Sequence, residues 1–262
     1  VEALFSFGKS AICQRYKLPK AGTEVEVEVR VLWQEKDSML KLALPIPWKA
    51  STLLGQVAYG AQELPDTGDE VVGQKWLALK ARRGERVLSV INDSTYGCDF
   101  KDGELRLSLL RSPAHAGHPT GPGRPILHQD RFTPRMDQGE HLFRFWLNGG
   151  LQDRLTTVDR EALAKNEQPY ALAYWPQGTG SQPTAEPVLS DKAVQVSTFK
   201  RSEDGDDLII RLFEPTGRIR RTTLSIPSAR LKTPVKMGPF EIKTLRVNRR
   251  TGRAREVNLL ED

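Results

Sequence analysis

The chain is poor in cysteine and lacks any long apolar run. Its 262 residues include two cysteines, Cys13 and Cys98, which lie far apart and argue against a disulfide framework. No stretch approaches the roughly 18–20 consecutive apolar residues of a transmembrane helix, so we expect no membrane partner. No basic segment leads into an apolar one near the start, so no signal peptide is predicted. These absences fit a cytoplasmic location, and the Val at position 1 indicates a processed or excised chain.

A strong excess of charge of one sign is also lacking. The chain has 39 basic and 33 acidic side chains, and the resulting net charge of +6 is spread along its length. Nucleic-acid binders concentrate basic residues on one stripe, and the dense basic run here covers residues 246–255. The Thr-Gly pair in that run predicts a β-hairpin with solvated arms. A nucleic-acid patch is the alternative, with steeply salt-dependent DNA binding, but we expect no nucleic-acid partner.

Apolar and charged residues alternate strictly through residues 24–31. Every odd position from Val25 to Val31 is apolar, and every even position is charged. Successive side chains of a strand point to opposite faces, so this segment is predicted to be a strand with one buried face. Similar patterns predict strands near residues 38–45, 52–60, 73–81, 86–92, 103–111, 140–147, 193–200, 207–214, 219–226 and 239–248.

Short alternating strands separated by turn residues are typical of antiparallel sheets. No amphipathic helical segments separate the strands, which argues against a doubly wound α/β fold. The predicted fold class is therefore all-β, with a large antiparallel β-sandwich followed by a smaller β-sandwich.

One helix is predicted after the strands of the larger sandwich. Thr156 or Thr157 is expected to cap its start, and Pro169 is expected to end it. Asp159, near the start, suits the positive end of the helix dipole.

The composition changes after this helix. Residues 175–187 are rich in Pro, Gly and polar side chains, which is typical of a linker or a long surface connection. We therefore predict two domains, with the large sandwich in residues 1–178 and the small sandwich in residues 179–262.

A long loop, rich in Pro, Gly, His and Arg, covers residues 112–139. Loops longer than about 12–15 residues are uncommon inside a compact domain and are usually functional or disordered. Predicted strands fix both ends of this one to a sheet, so it is a candidate binding surface. The spacing of His115, His118 and His128 is not that of a zinc site, so no metal site is predicted in this chain. His141 opens a strand and is expected to be a hydrogen-bonded structural residue.

Several short segments, spread over nearly the whole chain, occur together in one known family. They are Trp33-Gln-Glu35, Leu40-Lys-Leu42, Gly55–Gly60, Gln74-Lys-Trp76, Asn92–Gly97, Leu105–Pro113, Asp137–His141 and Lys200–Glu214. In this order and spacing they resemble the C-terminal region of family-38 glycoside hydrolases, the α-mannosidases, of the bacterial cytosolic type. The resemblance implies that the large sandwich is a galactose-mutarotase-like supersandwich.

The resemblance also implies a partner for this chain. Such enzymes carry zinc, or another divalent metal, and the catalytic carboxylates in a (β/α) barrel that precedes the sandwiches. The barrel of the same polypeptide would hydrolyse α-mannosides with retention, and homo-oligomer contacts are an open alternative. This chain matches only the sandwich region, so we expect no catalytic residue, metal or cofactor in it, and no activity from it alone.

The substrate-binding prediction concerns four residues, and it begins with Arg111. That residue matches an arginine that in relatives reaches towards the sugar pocket, and a guanidinium suits paired sugar hydroxyls. The alternative is that Arg111 pairs with a loop aspartate and only shapes the turn. Asn92, Asp93 and Tyr96 are predicted to reach the same face. Side-chain-to-backbone bonds for the first two, and sheet coverage by Tyr96, are the alternatives.

The predicted function is therefore that of a scaffold. The chain would buttress the barrel and contribute a loop to the rim of the mannoside-binding site. The alternative is an independent carbohydrate-binding module, which needs exposed aromatic side chains. Tryptophans on alternating strands are usually core residues, and Trp48, in a loop, is the one expected to be exposed.

Overall fold

The computed structural model describes residues 1–46, 48, 51–83, 85–115, 132–171 and 185–262. These residues form two compact units. The first consists of Val1–Gly55 and Glu63–Gln152, and the second consists of Gln56–Gln62 and Asp153–Asp262. The predicted domain boundary after residue 178 lies outside the described residues. The helix and the tip at 56–62 group with the second unit.

The first unit is an antiparallel β-sandwich. An eight-stranded sheet has the order β1-β2-β3-β12-β9-β8-β5-β6, and a four-stranded sheet has the order β4-β11-β10-β7. The strands are β1 (Glu2–Phe7), β2 (Ser10–Lys17), β3 (Val25–Trp33), β4 (Met39–Pro45), β5 (Ser51–Val57), β6 (Gly60–Leu64), β7 (Val71–Val72), β8 (Trp76–Ala81), β9 (Val87–Asn92), β10 (Gly97–Lys101), β11 (Glu104–Arg111) and β12 (Gly139–Gly150).

The alternation read from the sequence places the core of this sandwich. Val27, Val29 and Val31 of β3 are buried in one cluster with Leu105 and Leu107 of β11, so the two sheets enclose a common apolar layer. The charged residues between those valines point to the other face, as the period of two requires. The all-β prediction is confirmed by these antiparallel sheets.

The N-terminal hairpin of β1 and β2 was not predicted from the sequence. Leu4, Phe5 and Phe7 of β1 are all more than half exposed, so the strand shows no contrast between an apolar and a polar face. Its position comes instead from backbone pairing with β2, which joins Glu2 to Arg15 and Phe7 to Ser10.

The second unit contains a helix and a smaller β-sandwich. A three-stranded sheet has the order β13-β16-β17, and a four-stranded sheet has the order β14-β15-β18-β19. The elements are α1 (Arg154–Asn166), β13 (Val188–Leu189), β14 (Gln195–Arg201), β15 (Leu208–Phe213), β16 (Arg220–Ile226), β17 (Leu231–Met237), β18 (Ile242–Val247) and β19 (Ala254–Val257). Buried residues of both sheets form a second apolar cluster, so the small sandwich has a core of its own.

The helix starts earlier than predicted and has no side-chain cap. Its N-cap is Asp153, and Thr157 lies inside the first turns, where its hydroxyl donates to Glu161 at 2.8 Å. Asp159 does not serve the helix dipole as predicted, because the helix begins at Arg154 and its first turn has no acidic residue. Asp159 is instead buried and accepts hydrogen bonds from Gln56 at 2.7 Å and Gln195 at 2.6 Å. A buried carboxylate needs such partners, and here they tie the helix to β14 and to the tip at 56–62.

The basic run at 246–255 forms the predicted hairpin, made of β18 and β19. Asn248 shapes its turn, because its side-chain oxygen accepts from the amides of Arg250 and Thr251. Gly252 is in the left-handed region at φ +66°, and a Cβ there would lie 2.8 Å from the carbonyl oxygen of Ala229. The turn is thus held against the 3₁₀ turn at Pro227–Ala229 by a contact that only glycine permits.

Candidate functional site

Strands β9, β10 and β11 end or begin near the connection between β9 and β10. β11 ends beside the start of β10, whereas Asn92 at the end of β9 pairs with Phe145 in the middle of β12. Three of the predicted substrate-binding residues, Asn92, Asp93 and Tyr96, lie at this connection, and the fourth, Arg111, ends β11, where it is bonded to Asp137 from the segment before β12. We refer to these five residues as the strand-end cluster.

Asn92 is used by the backbone around it. The residue is 1 % exposed, its Nδ2 donates to the carbonyl of Gln74 at 2.8 Å, and its Oδ1 accepts from the amide of Thr95 at 3.2 Å. These are the side-chain-to-backbone bonds of the alternative interpretation. Asn92 therefore shapes the β9–β10 connection within the described structure.

Asp93 and Tyr96 are more accessible. Asp93 accepts from the hydroxyl of Ser94 at 3.2 Å and the amide of Arg144 at 3.4 Å, and its carboxylate lies 4.0 Å from the Arg144 guanidinium. Tyr96 is 41 % exposed, and its backbone carbonyl accepts from the amide of Gly73 at 3.0 Å. The phenol ring is open to a ligand.

Arg111 is fixed through its backbone rather than its side chain. Its amide donates to Oδ2 of Asp137 at 3.1 Å, and its side chain is exposed. Within the described ranges the guanidinium forms no ion pair, so Arg111 interacts with a loop aspartate through its backbone amide and not through its side chain. Asp137 thus fixes the backbone of Arg111, and the guanidinium donors remain available.

Asp137 connects the cluster to the start of β12. It has a left-handed backbone at φ +51°, and its carbonyl oxygen accepts from Nε2 of His141 at 3.0 Å. The His141 ring stacks on Phe143 with centroids 6.1 Å apart. The prediction of a hydrogen-bonded structural histidine is confirmed.

An ion pair that the sequence reading missed lies beside the cluster. Arg135 donates from Nε and Nη2 to the two carboxylate oxygens of Asp37, at 2.9 Å and 3.0 Å. The hydrogen bond with Arg135, opposed by partial burial, holds the pKa of Asp37 below its usual value. Nothing local in the sequence marks this pair, because its members are 98 positions apart.

No described group of three or more His, Cys, Asp or Glu side chains is placed to hold a metal ion. His118 and His128 lie outside the described residues, and the Nε2 of His141 already donates to a carbonyl. The described residues therefore offer no ligand set for zinc, and no chemical step is assigned to a metal here.

The two cysteines are free. Burial raises the pKa of Cys98 to about 12, so its thiol stays protonated and unreactive near neutral pH. Among the tryptophans, Trp33, Trp76 and Trp146 are buried, as expected for core residues, and Trp48 is half-buried. Trp175 lies outside the described residues.

An apolar groove lies on the outer face of the large sheet, beside β1. It has a volume of about 400 Å³ and is lined by Leu4, Cys13 and Leu32, with the ion pair of Arg30 and Glu140 at 2.6 Å across it. Leu4 is 74 % exposed and Leu32 is 44 % exposed. Exposed apolar surface of this kind commonly marks a place where another body packs.

The described residues therefore form two antiparallel β-sandwiches, one in each unit, with exposed polar and aromatic side chains at strand ends of the first. A model of the glycosyl hydrolases family 38 C-terminal domain matches residues 1–120. A model of the family 38 C-terminal β-sandwich domain matches residues 193–233. The chain belongs to glycoside hydrolase family 38, as a C-terminal region of it.

Relatives agree with this assignment. Alpha-mannosidase G from Dictyostelium discoideum is 24% identical over 279 residues, which cover 91% of this chain and 24% of that protein. The crystal structure of an alpha-mannosidase from Enterococcus faecalis V583 matches with a TM-score of 0.73 at 17% identity. The match covers 90% of this chain and 29% of the mannosidase chain. A family 38 protein from Enterococcus faecalis has the same TM-score and identity, with 90% and 30% covered.

The chain spans about a quarter of the length of these proteins. Within the described ranges, no helix combines the length and the apolar character that a membrane span requires.

Proposed function

We propose that this chain is the non-catalytic C-terminal portion of an α-mannosidase. It scaffolds a zinc-dependent catalytic barrel of the same polypeptide and contributes a loop to the rim of the mannoside-binding site. The observation that carries the proposal is the match of two family 38 C-terminal models to residues 1–120 and 193–233, in a chain that spans about a quarter of its relatives.

The rim role is supported by the strand-end cluster. Arg111 and Tyr96 are exposed at the same end of one rigid sandwich, and their backbones are fixed by hydrogen bonds to Asp137 and Gly73. An arginine fork and an aromatic ring are suited to sugar hydroxyls and to the apolar face of a sugar ring. The two side chains differ in chemistry and together would bind one hexose edge and one hexose face.

The scaffold role is supported by the apolar groove beside β1. Leu4 and Leu32 would be buried against a second body, and the ion pair of Arg30 and Glu140 would remain at the margin. Burial of apolar area is the main favourable term in such contacts. The groove therefore provides a surface on which the barrel of the same polypeptide packs.

An independent carbohydrate-binding module is the alternative. Such modules stack sugars on exposed aromatic rings, whereas the side chains of Trp33, Trp76 and Trp146 are buried. Tyr96 is one of several exposed aromatic side chains, with Phe7, Tyr59 and Tyr170 among the others, that favour the alternative. Calorimetric titration of this chain with mannose oligosaccharides separates the two. Saturable micromolar binding supports the module, and no heat of binding supports the scaffold.

The scaffold proposal is tested by complementation. The barrel and this chain are expressed as separate polypeptides, mixed, and assayed for association by sedimentation and for hydrolysis of an aryl α-mannoside. We expect Leu32→Asp to weaken association by about 10-fold or more, since it places a charge in the groove. Leu259→Asp, at an exposed apolar position of the second unit, is the matched control. Equal association of both variants with the barrel contradicts the proposal.

A further inference from the structure

The long loop at residues 112–139 is fastened at its base by bonds from both of its described ends. We propose that Arg135 and Asp37 are positioning residues, whose ion pair holds Arg111 in the orientation that the mannoside rim requires. The inference rests on the proposed function, because it gives Arg111 a sugar-binding role. It assigns a role to two residues that do not themselves reach the rim.

The ion pair has the geometry of a strong clamp. Arg135 donates two parallel bonds to Asp37, at 2.9 Å and 3.0 Å, and a third from Nη1 to the carbonyl of Thr133 at 2.7 Å. Its side chain is only 5% exposed, whereas that of Asp37 is 53% exposed. A buried guanidinium depends on its partners, and the planar fork fixes direction as well as distance. Arg135 is therefore held in one place, and Asp37 is held by it.

From Asp37 the bonds lead directly to the residue after Arg111. The amide of Asp37 donates to the carbonyl of Ser112 at 2.8 Å, and the amide of Ser112 donates to the carbonyl of Ser38 at 2.9 Å. Ser112 is fully buried, and its hydroxyl accepts from Nε1 of Trp33 at 3.2 Å. Any shift of Asp37 is thus transmitted to the backbone at the end of β11.

A second set of bonds reaches Arg111 from the other side of the loop. Its amide donates to Asp137, and the amide of Met136 donates to the carbonyl of Pro113 at 3.0 Å. Gln138 adds a bond from Nε2 to the carbonyl of Glu35 at 2.8 Å. Arg135, next in sequence to Met136, therefore fixes the segment that carries these bonds.

The backbone at both aspartates supports a positioning role. Asp37 and Asp137 have φ values of +50° and +51°, in the left-handed region that aspartate adopts more readily than most residues other than glycine. In each case the carboxylate that makes the conformation accessible also bonds within the base of the loop, to Arg135 or to the amide of Arg111. The two residues flank Arg111, one through Ser112 and one by a direct hydrogen bond.

The expected kinetic signature follows from where Arg111 acts. It would contact bound substrate and not the reacting atoms, so displacing it weakens the substrate complex and the transition state alike. Loss of such uniform binding raises KM and leaves kcat unchanged. A residue that only stabilised the fold would lower the melting temperature and would not raise KM selectively.

The test uses the polypeptide that joins this chain to its barrel, with an aryl α-mannoside as substrate. Arg135→Lys keeps the charge and loses the fork, and Asp37→Asn keeps the left-handed backbone and loses the ion pair. Both are expected to raise KM by about 10-fold with kcat within about 2-fold. Arg246→Lys, which breaks the paired contacts of Arg246 with Asp204 and Asp207 in the second unit, is the matched control and leaves KM unchanged.

A double-mutant cycle shows whether Arg135 acts through Arg111. In an Arg111→Ala background, Arg135→Lys is expected to add no further rise in KM, because the residue that it positions is gone. Additive rises overturn the inference. So does an unchanged KM for Arg135→Lys and Asp37→Asn while Arg111→Ala still raises it, an outcome that leaves the proposed function intact.

Hydrogen exchange on the 262-residue chain gives a readout that needs no activity. The amides of Asp37, Arg111 and Met136 are expected to exchange about 10-fold faster in Arg135→Lys and at the parent rate in Arg246→Lys. Unchanged exchange overturns the clamp. Faster exchange with an unchanged KM in Arg111→Ala shows that the clamp exists, overturns its role at the rim, and counts against the proposed function itself.

Discussion

Each of the two units uses a carboxylate to hold backbone amides, and the two carboxylates differ in how many amides they hold and in what lies exposed beside them. In the second unit, Glu214 is fully buried and accepts from the amides of Thr216, Arg218 and Phe240, at 2.9, 3.1 and 3.2 Å. Arg220 lies 3.6 Å from it. In the first unit, Asp137 accepts from the amide of Arg111 while the Arg111 side chain stays exposed.

The difference separates contacts that stabilise the fold from contacts that we propose to serve binding. The bonds to Glu214 form a closed set, and they fix the turns after β15 and before β18 within the small sandwich. The strand-end cluster uses its bonds to hold a backbone and leaves a guanidinium and a phenol open. A carboxylate that is buried and fully bonded indicates a structural role, whereas the exposed side chains beside Asp137 are what the proposed binding role requires.

The largest effect is expected at Glu214, and it tests whether the bonds to this carboxylate stabilise the fold. Glu214→Ala leaves buried amides without an acceptor, so we expect a loss of about 3 kcal/mol in the free energy of unfolding of the chain. Urea denaturation measures it. Glu203→Ala is the control, because the Glu203 side chain is 86% exposed and should cost less than about 0.5 kcal/mol. Equal losses in the two variants would refute the structural reading.

The glycine of the basic hairpin gives a smaller change in the same unit. Gly252→Ala places a Cβ 2.8 Å from the carbonyl oxygen of Ala229, at a φ of +66°. We expect the free energy of unfolding to fall by about 2 kcal/mol. Gly103→Ala, where φ is +79° but nothing lies within 4 Å of the added atom, measures the backbone strain alone. The difference between the two reports the contact.

Arg111 tests the binding side of the comparison. In the polypeptide that carries the barrel, Arg111→Ala is expected to raise KM for an aryl α-mannoside by about 10-fold, because one sugar contact is lost. The melting temperature should hardly change, since the side chain is exposed and its amide bond to Asp137 remains. Unchanged kinetics together with unchanged melting would remove both the binding and the structural roles.

The smallest expected effect is the dependence of stability on acid. Burial tends to raise the pKa of Glu214, but the hydrogen bonds from Thr216, Phe240 and Arg218 outweigh it and hold the pKa below its usual 4.5. Its folded pKa is depressed, so its contribution is present above pH 4.5 and is lost as the pH falls through the folded value. The urea midpoint should therefore stay constant down to about pH 4.5 and fall below it, and Glu214→Gln should make that fall smaller.

The sequence predicted β3, whose two faces differ, and missed β1, whose faces do not; it also missed β17, although buried and exposed residues alternate along that strand. Val25–Val31 shows strict alternation and forms β3, whereas the exposed apolar residues of β1 show no contrast and only backbone pairing defines the strand. The helix start was wrong because two threonines suggested a cap, and the structure begins the helix at Asp153 without one. Propensity near helix ends is a weak guide when tertiary contacts position the helix.

The candidate site was partly predictable in the same sense. A strand end, a long loop and an arginine at their junction pointed to Arg111, and the order of strands brings Tyr96 and Asp93 to the same end. The pair of Arg135 and Asp37 could not be inferred, because it depends on the register that aligns β3 with β12. Residues far apart in sequence become neighbours only through that register, and no local pattern records it.

The non-catalytic role is tested by hydrolysis of an aryl α-mannoside by this chain alone, with Zn²⁺ supplied, against the same assay of the polypeptide that carries the barrel. We expect no turnover from the chain and metal-dependent turnover from the longer polypeptide. Metal-dependent turnover by the chain alone, abolished by a single substitution in it, would contradict the proposed function.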